Sequence, residues 1–239
     1  MRPATAIIAC LAVILAAGCA TPGVKLQQPY AWGQEPGDGD YSWHHLRLRW
    51  HWPEGEQPDW SLDLLAADLI LSDLIAARRD ALPLWRFHRR AARTPAGHQF
   101  SFIFYATPRT ARDIRYAVSE HPVTGKLMEQ GLLEKVYLTR PDGPERLSAT
   151  SDPGWPQSIQ STWPVFIMGV SQAWLALVEF HAGDTTTLDE DLAEAKRRYR
   201  ETSDKVDRLW LEHAQHAYMH HLSGVFGYKP VWLRQRVRF

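Results

Sequence analysis

Gln99-Phe100-Ser101-Phe102-Ile103-Phe104-Tyr105-Ala106-Thr107 is the stretch on which the fold turns. Successive side chains of an extended chain point to opposite sides, so Phe100, Phe102 and Phe104 share one face and Ile103 and Tyr105 the other. Apolar residues on both faces predict a central strand, flanked within a sheet and covered by other elements. Upstream, from His44, Leu46, Leu48, Trp50 and Trp52 alternate with His45, Arg47, Arg49 and His51, the period of a half-buried strand, and Pro53 and Gly55 close it. Downstream, residues 133–140 read as a third strand ended by Pro141-Asp142-Gly143-Pro144.

The connecting segments read as helices. Asp59 can cap one that carries Leu62, Leu65, Leu69 and Ile75 on one side and runs to about Asp80, with Pro83 starting a further helical turn or two toward Arg93. Residues 109–131 read as helical with a break near Pro122. Residues 163–180 are nearly continuously apolar, with Ser161 or Thr162 as cap and Pro164 in the first turn, and Gln172 and Glu179 favour a buried helix over a membrane span. Residues 188–222 form the most periodic segment: positions 188, 192, 195, 199, 202, 206, 209, 213, 216 and 220 step by four and three, as in a heptad seam. Residues 231–239 read as a final strand, Val231, Leu233, Val237 and Phe239 alternating with Trp232, Arg234, Arg236 and Arg238. This order predicts an α+β domain: a mainly antiparallel sheet covered by helices, ferredoxin-like in its leading topology, with a long C-terminal helix and a closing strand.

The 239 residues are 45% hydrophobic and 23% charged, which suffices for one core over residues 43–239. Lys plus Arg and Asp plus Glu number 27 each, so net charge gives no reason to expect nucleic acid as a partner. Residues 20–42 are rich in Pro, Gly and Gln and read as a tether, whose ~20 residues reach on the order of 25 Å as a flexible coil.

The amino terminus has its own pattern: Arg2, then the uncharged apolar stretch from Ala4 to Ala17, too short to span a bilayer. At Leu15-Ala16-Ala17-Gly18-Cys19 it resembles the lipobox of bacterial lipoprotein precursors. The resemblance implies that residues 1–18 are a removable signal peptide and that Cys19 is acylated and becomes the new amino terminus. It further implies a membrane partner through those acyl chains and, since Ala20 is not the Asp that typically retains such proteins in the inner membrane, an outer-membrane position facing the periplasm. After cleavage no other cysteine would remain for a disulfide.

Three groups of residues could carry function. His213, His216 and His220 fall within about 60° of one another on a helix, and the last two have the four-residue spacing with which imidazoles grip Zn²⁺ or Cu²⁺; the same residues also simply continue the apolar seam. His45, Arg47, Arg49 and His51, possible neighbours of Arg234, Arg236 and Arg238, could bind an acidic ligand, or form a solvated strand face whose charges discourage edge pairing. Eleven tryptophans supply either core or contact surface. Gly169-Val170-Ser171-Gln172-Ala173 lacks the last Gly of a nucleophile elbow, and Thr124-Gly125-Lys126-Leu127 lacks the Gly and Ser/Thr of a phosphate loop. The expected function is therefore a non-catalytic interaction or accessory lipoprotein that docks a protein or a second copy. The alternatives are a carrier of an apolar molecule in a pocket lined by Phe100, Phe102, Phe104 and the helix at 163–180, and a metal-binding protein.

Overall fold

The structure, a computed structural model, describes residues 41–140, 142–143, 145–183 and 191–228. Cys19 with the expected signal segment, the expected tether up to residue 40, Leu188 and the expected final strand at 231–239 with its three arginines lie outside the described residues.

Four strands, β1 (Ser42–Trp50), β2 (Leu84–Ala92), β3 (Gly97–Ala106) and β4 (Leu133–Thr139), make one antiparallel sheet in the order β2-β3-β1-β4. Between β1 and β2 lies a helical stretch, α1 (Ser61–Ala66), a π-helical Ala67–Ser72 and α2 (Asp73–Ala77). Between β3 and β4 lie α3 (Pro108–Ser119) and α4 (Pro122–Glu129). The succession β-α-β-β-α-β with this strand order is the ferredoxin-like split β-α-β topology. As the sequence predicts, β3 is interior, and Phe100, Phe102 and Phe104 are wholly buried on the helix-covered face. Opposite them sit Leu48, Leu46 and His44 of β1, and Arg89, Phe87 and Trp85 of β2.

The expected helical turns from Pro83 toward Arg93 are replaced by strand β2. Trp85 and Phe87 both bury against the phenylalanine stripe, which a strand allows and a helix forbids, because residues two apart on a helix point roughly 200° apart. Pro83 precedes the first residue of an edge strand, a position that tolerates a missing N–H. Gly97 closes the β2–β3 hairpin with φ +65°, and a Cβ there would meet the Arg49 guanidinium at 3.6 Å.

α5 (Gln157–Ala182) starts earlier than its sequence suggests, and Pro164 lies inside it. Ser161 and Thr162 are not caps: their hydroxyls donate back to the carbonyls of Gln157 and Ser158. Pro164, Met168, Ser171, Leu175, Val178 and Ala182 are buried, so the expectation of a buried helix holds for one side only. α6 (Leu192–Leu209) packs against α1 and α5 and buries Leu192, Ala195, Tyr199, Thr202 and Val206, the first part of the seam. A π-helical turn at Trp210–Ala214 then adds a residue, so that Ala214 and not His213 is buried next, and α7 (Gln215–Val225) buries none of its residues.

Two polar contacts lock the layers. The Asp63 carboxylate, wholly buried, accepts from Trp50 Nε1 at 2.7 Å and Arg89 Nε at 2.9 Å. Tyr199 donates to Asp68 at 2.6 Å across α6 and the π-helical stretch. Burial raises the Asp68 carboxyl above its ordinary range.

Candidate functional site

Helices cover one face of the sheet; the other face carries three rows of side chains fixed by strand register. The first runs Arg86, Ile103, His45, Thr139 across β2, β3, β1 and β4, the second His88, Ser101, Arg47, Tyr137, and the third Arg90, Gln99, Arg49, Lys135. The short neutral side chains of β3 make a floor between two cationic walls. With neighbouring strands about 4.8 Å apart, those walls stand roughly 10 Å from each other. The cleft has a volume of about 600 Å³ and is also lined by Pro95 and Ala96 of the hairpin turn. At one end, the segment Leu147–Thr150 closes the face: Trp43 Nε1 donates to the Leu147 carbonyl at 3.0 Å and Tyr105 to that of Glu145 at 2.7 Å.

Hydrogen bonds orient the walls. Arg47 donates to Thr139 Oγ1 at 2.8 Å and to His45 Nδ1 at 3.3 Å. Since His45 Nδ1 accepts, the ring is neutral and its proton sits on Nε2. Arg49 bridges the Pro95 carbonyl at 2.9 Å and Glu134 at 2.9 Å. Arg86 donates to Thr150 Oγ1 at 3.2 Å, while its buried Nε has no hydrogen-bond partner. Among the described residues no carboxylate pairs with Arg47, Arg86 or Arg90.

The electrostatic result is a positive field inside the cleft. Burial, reinforced by Arg47 and Arg86 and by His44 and His88, drives the His45 pKa down to about 4. Burial with Arg86, Arg90 and Arg47 lowers that of His88, and burial alone lowers that of Arg86.

The structure thus brings His45, Arg47 and Arg49 onto one face, as their alternation suggests, while His51 lies outside the lining of the cleft and shares the Glu134 carboxylate with Arg49. His51 follows the end of β1, and its Nδ1 lies 3.3 Å from Glu134 at the sheet margin. Arg86, His88 and Arg90 join this face only because their segment, whose leading Pro83 predicts helical turns, forms strand β2. Their period-two alternation with Trp85 and Phe87 was the available signal.

His213, His216 and His220 are all exposed; the rings of His216 and His220 stack at 5.5 Å. Among the described residues no group of three or more His, Cys, Asp or Glu is placed to hold a metal ion. Phe100, Phe102 and Phe104, the expected lining of an apolar carrier pocket, are packed solid by Trp85, Phe87 and Trp174.

A second surface is apolar. Ile159, Phe166, Val170 and Phe180 are exposed along α5, with Trp155 just before it and half-buried Trp163 between. No charged residue occurs from residue 153 to 178, and no Lys or Arg between Arg146 and Lys196. α5 is long and apolar enough to cross a membrane by length and composition, yet its other side is joined to the sheet. Leu211, Tyr218, Val225 and Phe226, from the π-helical turn to the end of α7, are also exposed.

Fold and surface together define a ferredoxin-like α+β domain with a cationic open face and an uncharged helical flank. No family model, curated protein or solved structure matches the chain.

Proposed function

We propose that the protein is a non-catalytic accessory lipoprotein of the cell envelope. In this reading it is anchored by acyl chains on Cys19 at the periplasmic side of the outer membrane and docks a protein partner through the outer side of α5. The observation that carries the reading is the exposed row Ile159, Phe166, Val170 and Phe180 on a helix without a charge for more than twenty residues. A solvent-facing row of this length exceeds the isolated apolar residues of ordinary surfaces and marks an interaction site. Aromatic residues with few charges characterise the buried centre of protein interfaces. A helix that lies on lipid flanks its apolar side with Lys and Arg; α5 has neither, which favours a protein over the bilayer as its cover.

The test is a photoreactive amino acid at Phe166 of the full chain in its own envelope, with Lys205 on α6 as an exposed control. A protein adduct from position 166 and none from 205 is the expected result, and its mass tells a second copy from a different chain. Lipid adducts alone, or equal labelling at both positions, would overturn the docking reading. Cys19→Ala is expected to release the protein from washed membranes and abolish acyl labelling.

A further inference from the structure

We infer that the open face of the sheet is a binding site for a phosphate-class oxyanion carrying at least two negative charges. Arg86 and Arg90 on one wall and Arg47 on the other would be its principal contacts. This goes beyond the docking reading and is independent of it, because the cleft lies on the sheet and shares no residue with the exposed row of α5.

The argument begins with Arg86. A guanidinium withdrawn from water without a counter-charge is costly to fold around, and proteins pair such groups or place them where a ligand completes them. Arg86 is half-buried, its Nε is fully withdrawn from water and unpartnered, and its one described bond is to a neutral hydroxyl. Asp63 shows how the same chain treats a buried arginine that needs no ligand: Arg89, one strand position along from His88 and facing the opposite way, is matched by a carboxylate at 2.9 Å. The contrast between Arg86 and Arg89 is what assigns the open face to binding.

The second observation is convergence. Among the described residues Arg47 and Arg90 likewise have no carboxylate partner, and they stand on opposite walls over a neutral floor of Ser101, Ile103 and Gln99. Arg49 is neutralised by Glu134 at the rim. Three unopposed guanidinium groups exceed the charge of one carboxylate. A phosphoryl group offers acceptor oxygens to both walls at once, with the bidentate geometry that guanidinium groups favour. Neutral His45 adds an Nε2–H donor, and Ser101 adds a hydroxyl. A cleft of about 600 Å³ admits a small phosphorylated molecule or the headgroup of a phospholipid.

A stacked RNA strand fits less well. Four-stranded sheets that read RNA carry aromatic residues on their central strands, whereas the open central positions here are Ser101, Ile103, His45 and Arg47.

The experiment measures binding to the detergent-extracted full chain by thermal shift and calorimetry, with inorganic phosphate, glycerol 1-phosphate and a short-chain phosphatidic acid as probes. Chloride at matched ionic strength is the reference, because general screening acts on any cationic surface. Saturable stabilisation by phosphate over chloride is expected. Arg86→Gln should weaken it roughly ten- to a hundredfold, the range for losing a charge-assisted bond, with Arg86→Lys retaining only part. Should Arg86→Gln fail to fold, exposed Arg90→Gln is the substitute and should weaken binding severalfold. Much tighter binding of phosphatidic acid than of glycerol 1-phosphate identifies a lipid headgroup as the source, and equal binding a soluble phosphate. Equal effects of phosphate and chloride, unchanged affinity in both arginine variants, or a response to oligouridylate alone would overturn the inference.

Discussion

Asp63 holds together residues that the sequence shows as unrelated: Trp50 at the end of β1, Arg89 in β2 and, with Nε2 at 3.4 Å but no hydrogen bond, His98 at the start of β3. His98 itself is enclosed by the rings of Trp50, Trp52 and Trp60. The Arg89 guanidinium also lies over the rings of Trp60 and Trp174, at 5.1 and 5.3 Å. Removing a buried partner strands the opposite charge, so Asp63→Ala is expected to destabilise the protein by about 3 to 5 kcal/mol in urea unfolding. A loss well under 1 kcal/mol would show that water reaches Arg89 and does the work of the carboxylate. Nothing in the sequence around Asp63 distinguishes it from Asp68 or Asp73 on the same helical stretch, because its partners come from three other places in the chain.

Among the elements, β2 depends most on its neighbours. It is an edge strand, and α5 lies along it: the Phe87 amide donates to Ser171 Oγ at 3.1 Å, while that hydroxyl donates to the Ile167 carbonyl at 2.8 Å. The helix therefore satisfies one outward amide of the edge and covers the strand against pairing with another chain. Ser171→Ala leaves the buried amide unpartnered and is expected to cost about 1 to 3 kcal/mol. In hydrogen exchange, the Phe87 amide should lose protection more than the amides of β3. The alternation in β1 was legible because its two faces differ sharply, Leu and Trp against His and Arg. β2 has the same alternation, but Pro83 ahead of it imitates a helix start, and only the phenylalanine stripe of β3 selects the strand. The heptad seam was legible as far as Val206, whereas the π-helical turn beyond it depends on local packing and moves His213 and His216 into solvent.

For the molecule as a whole, the histidines set the response to acid. His44, His45, His88 and His121 all have pKa values lowered chiefly by burial, His45 to about 4. A lowered pKa means that the unfolded chain takes up the proton first. Stability is therefore fully present above the ordinary histidine value of 6.5 and falls as pH drops toward 4. Asp68 acts in the opposite direction: its raised carboxyl lets the folded state hold a proton more tightly, which recovers some stability on acidification through its own range. The net expectation is a urea midpoint that declines between pH 6.5 and 4, and a shallower decline in His45→Gln. An unchanged slope in that variant would place the acid sensitivity elsewhere.

The amino-acid pattern determined by itself that this is an α+β domain with an antiparallel sheet, that β3 is interior and that β1 presents His45, Arg47 and Arg49 together. These follow from periodicity, since a strand that buries one face must segregate its residues by twos. The resemblance to a lipobox, too, rests on local sequence, and Cys19 lies outside the described residues. Only the tertiary structure decided that Arg86, His88 and Arg90 face Arg47 across β3 and that Arg89 is matched while Arg86 is not. It likewise decided that α5 buries one apolar side and exposes the other. The physical reason is that charge matching and burial belong to pairs of residues distant in sequence, and strand register alone fixes which of them meet.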